Sequence, residues 1–429
     1  MSASLLLGGS IACVEQGELP GPPYDVIVLD RVADSASPDD FSFALQRRTL
    51  ETVADFERLA APGFRIRQGG TLTAEQVDGD TVVSGSFEGD DAPHLRYVVE
   101  DGAAVPRDYA TLLMFSAAYQ FERVLGRLGV VSDPSLAAML ESRGALDVIF
   151  GPVMLTRSGG AQGSLRLDTN AFFFPEGWQF GLARSSERER VPLAADARVI
   201  AHELGHAVFD LAFFGGVREP CDPEAAASNE QDPWFPGRLP LNLTINGLNE
   251  GFADWISFAV SGGADPIASI IVPSNDELDV DVPRRLLTED NFRWSQIDKF
   301  DERPDDARCR GSYCIGTLFA RSLVAAYIDA GNDPADETAR QAFSRSVVVA
   351  LQGTEARMRE RELPLPQPAV ARCRRQRDIS PVDDPPIIGA FLEAFLAGFP
   401  EARAASLCPQ LADRFEDGFP SEFRRGCEP

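Results

Sequence analysis

Residues 202–206 read His-Glu-Leu-Gly-His, and residues 248–255 read Leu-Asn-Glu-Gly-Phe-Ala-Asp-Trp. These two stretches decide how the chain is read. On a helix, positions i and i+4 lie on one face, so His202 and His206 can turn their ring nitrogens toward a single metal ion. Glu203 lies beside them, placed to act on water as a general base and then as a general acid without being needed as a ligand. The flanking Val199, Ile200, Leu204, Ala207 and Val208 are uncharged, as a helix buried beneath a site requires. The bland alternative is a coincidental, solvent-facing motif. Against it, the chain has only three histidines and two of them fall here.

A catalytic zinc ion commonly takes three protein ligands and keeps an open position for water. The remaining histidine, His94, sits in the turn-rich run Asp91-Ala92-Pro93-His94 and reads as a surface residue. A carboxylate is therefore expected as the third ligand, and Glu250 is the candidate. The extended pattern HExxHxxGxxH fails, because Phe209 and Ala212 stand where its glycine and last histidine belong.

The second stretch resembles known families. LNEGFA is similar to the segment carried by the alanyl-aminopeptidase and leukotriene-A4-hydrolase family, and NExxAD resembles the NExxSD segment of thermolysin-like peptidases. Both are gluzincins, zinc peptidases with a glutamate third ligand. The resemblance implies zinc held by His202, His206 and Glu250, with Asp254 orienting a ligand histidine from one helical turn further on. It implies peptide-bond hydrolysis, with a peptide or protein as substrate. Upstream, residues 170–181, NAFFFPEGWQFG, resemble the edge-strand hairpin of thermolysin-like enzymes. There the strand holds peptide by β-augmentation, a role that would fall to the Asn170 side chain and the Ala171 backbone. The bland reading of that stretch is an aromatic core hairpin. Tyr313-Cys314-Ile315-Gly316 is similar to the YxxG segment of the aminopeptidase-type family, which implies that Tyr313 donates a hydrogen bond to a developing oxyanion; a structural Tyr beside a Cys309–Cys314 disulfide is the alternative. The 43 residues between His206 and Glu250 exceed the spacing in either family, and the GxMEN segment of the aminopeptidases is absent.

Composition narrows the classes. The net charge of −26 argues against nucleic acid, which needs clustered Lys and Arg. No apolar run approaches the length of a transmembrane helix. Seven cysteines without a CxxC pair argue against a cysteine zinc site, and six of them can form three disulfides in an oxidising compartment. Residues 3–12, ASLLLGGSIA, run into Cys13 like the tail of a bacterial lipoprotein signal, although the basic n-region is missing. Export from a bacterial cell, lipid-anchored at Cys13 or secreted, is the expectation. The acidic run Asn275–Asp281 could bind Ca2+ but lacks EF-hand spacing and reads as a solvated loop.

The expected architecture is α+β. A signal-like segment and linker (1–23) precede a small β-rich domain (24–106). A zincin-like catalytic domain (107–262) follows, with a twisted sheet and an edge-strand hairpin over the active-site helix. A mainly helical lobe (263–429) ends the chain. Within this frame, 107–128 is a helix with Leu113, Ala117, Phe121, Val124 and Leu128 on one face. Residues 147–154, 164–174 and 179–182 are strands. A helix opens at Pro192, 214–247 is a long loop, and 248–260 is a second helix. Two other functional classes stay open: an inactive zinc-binding surface module, and a zinc hydrolase acting on an epoxide or ester.

Overall fold

A computed structural model of the chain describes residues 19–33, 41–77, 80–90, 92–131, 134–158, 161–166, 171–174, 177–182, 192–215, 241–263, 286–288, 292–298, 309–310, 312–360 and 386–415. Cys13, Asn170 and the acidic run 275–281 lie outside these residues, so the readings placed on them stay with the sequence.

The architecture is mixed α+β. Strands β1 (Tyr24–Ala33), β2 (Phe41–Leu50), β5 (Tyr97–Glu100) and β6 (Ala103–Pro106) form a four-stranded sheet in the order β2-β1-β6-β5. A seven-stranded sheet contains β3 (Phe64–Val77), β4 (Asp80–Asp90), β7 (Leu146–Phe150), β8 (Val153–Ser158), β9 (Ala161–Arg166), β10 (Ala171–Phe174) and β11 (Gln179–Leu182). Its order is β10-β11-β7-β3-β8-β9, with β4 paired to β3. β3 and β4 come from the segment expected to be a separate N-terminal domain. β3 nevertheless runs parallel to β7 and then to β8. The sheet therefore crosses the boundary expected at residue 106.

The single strand expected over 147–154 is two strands. Gly151 takes φ 70° and Pro152 has no N–H to offer, so the ladder breaks there and resumes at Val153. The stretch 164–174 is likewise divided between β9, which pairs with β8, and β10, which pairs with β11.

Eight α-helices lie among the described residues: α1 (Tyr109–Val131), α2 (Pro134–Arg143), α3 (Ala197–Phe214), α4 (Leu241–Ser261), α5 (Ser312–Asp329), α6 (Glu337–Glu360), α7 (Pro386–Ala397) and α8 (Glu401–Phe415). The apolar stripe of α1 is buried at all five positions read from its spacing. α1 lies against the smaller sheet, where Ser116 Oγ accepts a hydrogen bond from the Leu29 N–H at 2.9 Å. One hydrophobic core runs from Val26 of β1 to Phe415 of α8.

Two helix boundaries differ from the sequence expectation. Pro192 precedes only a 3-10 turn (Leu193–Ala195), and α3 proper starts after Asp196, whose side chain accepts from the Arg198 N–H. α4 starts at Leu241, inside the stretch read as loop, because Ile245 is buried one turn ahead of Leu248 and extends the apolar face.

Candidate metal centre

α3 is buried along nearly its whole length, from Arg198 to Phe213. It packs antiparallel to α4, as three contacts show. Ser257 Oγ donates to the Arg198 carbonyl at 3.0 Å, Asp254 meets His202, and Asn249 meets His206. The two backbones almost touch in the middle. A methyl group on Gly205 would stand 2.6 Å from Cα of Ala253, so the fourth residue of His-Glu-Leu-Gly-His has no room for a side chain.

Among the described residues, His202, Glu203 and His206 offer ligand atoms that all lie within 4.8 Å of one another. The two imidazoles are 4.8 Å apart, centroid to centroid, and nearly perpendicular at 85°. Glu250 reaches the same point from α4. Its Oε2 lies 3.4 Å from His202 Nε2 and 3.9 Å from His206 Nε2. Zinc bonds near 2.0–2.1 Å give a tetrahedron with edges of about 3.4 Å, so the His202–Glu250 separation fits a shared ion and the His206–Glu250 one is about half an ångström longer than that edge. Glu203 is the nearer carboxylate in sequence, but its Oε2 accepts a hydrogen bond from the Phe173 backbone N–H at 3.1 Å. Two carboxylates therefore lie within reach of both imidazoles, Glu250 through Oε2 from α4 and Glu203 from α3 itself.

The far nitrogen of each ring is also met. His202 Nδ1 lies 2.9 Å from Asp254 Oδ1, and His206 Nδ1 lies 2.9 Å from Asn249 Oδ1. Both contacts leave Nε2 turned inward, the orientation that a ligand histidine needs. Three buried carboxylates, Glu203, Glu250 and Asp254, surround two imidazoles in a water-poor place. Burying so many carboxylates together is costly, and a divalent cation held there would offset that cost.

β10 supplies the third side of the site. It lies at the end of the seven-stranded sheet and, among the described residues, pairs only with β11. The Phe173 N–H turns away from β11 to Glu203. By the two-residue period of a strand, the Ala171 N–H and C=O share that free edge. The hairpin is held from behind. The Trp178 indole N–H donates to the Gly144 carbonyl at 3.2 Å, and its ring meets Phe173 edge-on at 5.5 Å.

The sequence-derived residues therefore separate into groups. His202, Glu203, His206, Glu250 and Asp254 come together. Ala171 lies on the edge strand whose next-but-one residue binds Glu203. Tyr313 is exposed in the first turn of α5, one turn before Gly316, which touches α4 at Gly247, Glu250 and Gly251. Cys314 is buried and disulfide-bonded, as is Cys408. His94 is exposed, with its backbone N–H bonded to Gln68 Oε1, in keeping with a surface residue. Asn249, which precedes Glu250 in the motif, and the Phe173 N–H were not assigned contacts from the sequence. The first could have been found from helical spacing. The second depends on a tertiary approach that no local pattern encodes.

No family model matches the chain, and no curated protein matches it in sequence. Among solved structures, the chain is similar to the precursor of protealysin, a metalloproteinase from Serratia proteamaculans, at 11% identity. The match covers 84% of this chain and 91% of that one, with a TM-score of 0.38. The buried His-Glu-x-x-His cluster on α3 fits the zincin motif and forms a candidate metal site in a mixed α+β protein.

Proposed function

We propose that this chain is a zinc-dependent peptidase of the gluzincin kind. The observation that carries this reading is the convergence of His202 Nε2, His206 Nε2 and Glu250 Oε2, with the Glu203 carboxylate tied to a free strand edge beside them. His202, His206 and Glu250 would hold the ion, and Asp254 and Asn249 would orient the two imidazoles. A bound zinc ion supplies Lewis acidity, polarising a carbonyl and lowering the pKa of water.

The remaining chemistry belongs to the chain. An extended peptide lies along β10, hydrogen-bonded to the Ala171 backbone and the Asn170 side chain. Glu203, its carboxylate oriented by the Phe173 N–H, takes a proton from the attacking water and passes it to the leaving amine nitrogen. Tyr313 donates a hydrogen bond to the carbonyl oxygen as negative charge builds on it. Export, lipid-anchored at Cys13 or secreted, accompanies this reading; no helix among the described residues is long and apolar enough to cross a membrane.

Metal analysis and cleavage of a peptide library, comparing wild type with Glu203→Gln, test the proposal. Zinc in both proteins, with hydrolysis lost only in the variant, is expected. Zinc without hydrolysis of any peptide would leave a binding module, and no zinc after reconstitution would overturn the reading altogether.

A further inference from the structure

α4 carries Glu250, Asp254 and Asn249, and it has backbone packed against it on two sides. Toward α3, the methyl that Gly205 lacks would stand 2.6 Å from Ala253 Cα. Toward α5, a methyl on Gly316 would stand 2.8 Å from Gly251 N, 2.9 Å from Gly247 O and 3.0 Å from Cβ of Glu250 itself. A methyl on Gly251 would collide with the Gly316 carbonyl oxygen. These obstacles are backbone atoms and a Cβ, which cannot rotate aside as the end of a long side chain can. A helix is the unit that must move.

We infer that Gly316 and Gly251 are positioning residues for the metal ligand Glu250: their bare contact sets how far α4 stands from α5, and so where the Glu250 carboxylate meets the two imidazoles. This inference rests on the proposed zinc site. Its physical basis is a mismatch of tolerances. Ligand distances in a metal site must hold to about 0.2 Å. Inserting a methyl between two helix backbones moves them by roughly an ångström, because packed interiors have no spare volume to absorb it. A shift of that size on α4 carries Glu250 away from the point where Nε2 of His202 and Nε2 of His206 converge.

Gly398 provides a control. Its added methyl would stand 2.5 Å from Cα of Ala350, in a contact between the end of α7 and α6 that does not include a proposed ligand. The test uses the full chain, with zinc dissociation constants measured by chelator competition and the thermal midpoint of the metal-free protein measured in parallel. Gly316→Ala should weaken zinc binding by about tenfold or more, the scale of losing a group that orients a ligand. Gly398→Ala should lower the midpoint comparably while changing zinc affinity far less than Gly316→Ala, because its contact includes no residue of α3 or α4.

Should Gly316→Ala not fold, the double variant Gly316→Ala/Ala253→Gly removes the Cβ that blocks α4 on the α3 side. It should fold and still bind zinc about tenfold more weakly, since α4 has moved and Glu250 with it. Wild-type zinc affinity in either folded glycine variant, or an equal loss in Gly398→Ala, overturns the inference. A wild-type chain that binds no zinc fails earlier and removes the proposed function together with this reading.

Discussion

The side-chain oxygen of Asn249 lies 2.9 Å from Nδ1 of His206. Asp254 Oδ1 lies equally near Nδ1 of His202, at 2.9 Å, as an ion-pair contact. Asn249 and Asp254 flank Glu250 on α4, as His202 and His206 flank the inner face of α3. Antiparallel packing brings one orienting oxygen to each ring while Glu250 enters between them. A single helix thus carries Glu250 together with the two oxygens that lie against the outer nitrogens of the histidine rings.

That arrangement predicts graded losses of metal affinity. Asn249→Ala and Asp254→Ala should each weaken zinc binding by about 10–100-fold, because the imidazole keeps its nitrogen but loses its fixed orientation. Asp254→Asn should cost less than Asp254→Ala, since an amide oxygen can still accept from Nδ1. Chelator competition measures all three. Equal zinc affinity in wild type and both alanine variants would show that the 2.9 Å contacts do not orient ligands.

Glu203 and Glu250 can be told apart by metal content alone, before any substrate is known. Glu203 is bonded to the Phe173 N–H, whereas Glu250 Oε2 faces both Nε2 atoms. Glu203→Ala should therefore retain one equivalent of zinc after dialysis. Glu250→Ala, reduced to two histidines, should lose most of it. The reverse result would make Glu203 the ligand and dismantle the proposed division of roles.

The candidate site was more legible in the sequence than the fold was, and the reason is range. His202, His206, Glu250 and Asp254 lie on two helices, where i and i+4 spacing fixes a common face without knowledge of any partner. The sheet has no such local rule. Arg65 of β3 meets Asp147 of β7 across 82 residues of sequence, so nothing in the turn-rich stretch before residue 106 announced that its strands join those after it. The start of α4 was missed for a different reason. Asn242, Thr244 and Asn246 are weak helix formers, and burial of Ile245 outweighs them in the packed protein. Gly205, Gly251 and Gly316 read as ordinary small residues until the helices they separate are seen side by side.

The hairpin at the free edge carries a stability prediction. Phe172 is paired across the strands with Gly181, and its ring covers the space a Cβ on residue 181 would take. Gly181→Ala should destabilise the protein by about 1–3 kcal/mol, the usual cost of overpacking. Trimming the ring should remove the clash, so Phe172→Ala/Gly181→Ala should be more stable than the two single losses added together. Urea unfolding of the four proteins closes the cycle. Simple additivity would mean that the ring moves aside and the pairing of Phe172 with Gly181 is incidental.

The start of α3 rests on a buried ion pair whose removal should be felt in stability. Arg198 and Asp196 are both almost fully buried, and Arg198 Nη2 donates to Asp196 Oδ2 at 2.7 Å. Asp196 also caps the helix, and the Arg198 carbonyl receives Ser257 Oγ from α4. Asp196→Ala takes the Asp196 carboxylate away from a buried guanidinium, which costs up to about 3–5 kcal/mol, and the lost cap adds about 1 kcal/mol. Replacing both residues, as in Asp196→Ser/Arg198→Met, keeps a capping oxygen and removes the buried charge, so it should recover most of the stability. His202 lies one turn beyond Arg198. If the pair serves only to satisfy charge, the double variant binds zinc as wild type does. If its geometry also sets the entry of α3, the double variant is stable but binds zinc more weakly. Urea unfolding and chelator competition on the same samples separate these outcomes. Wild-type stability in Asp196→Ala alone would show that Arg198 finds another counter-ion, and the pair would then have no claim on the helix.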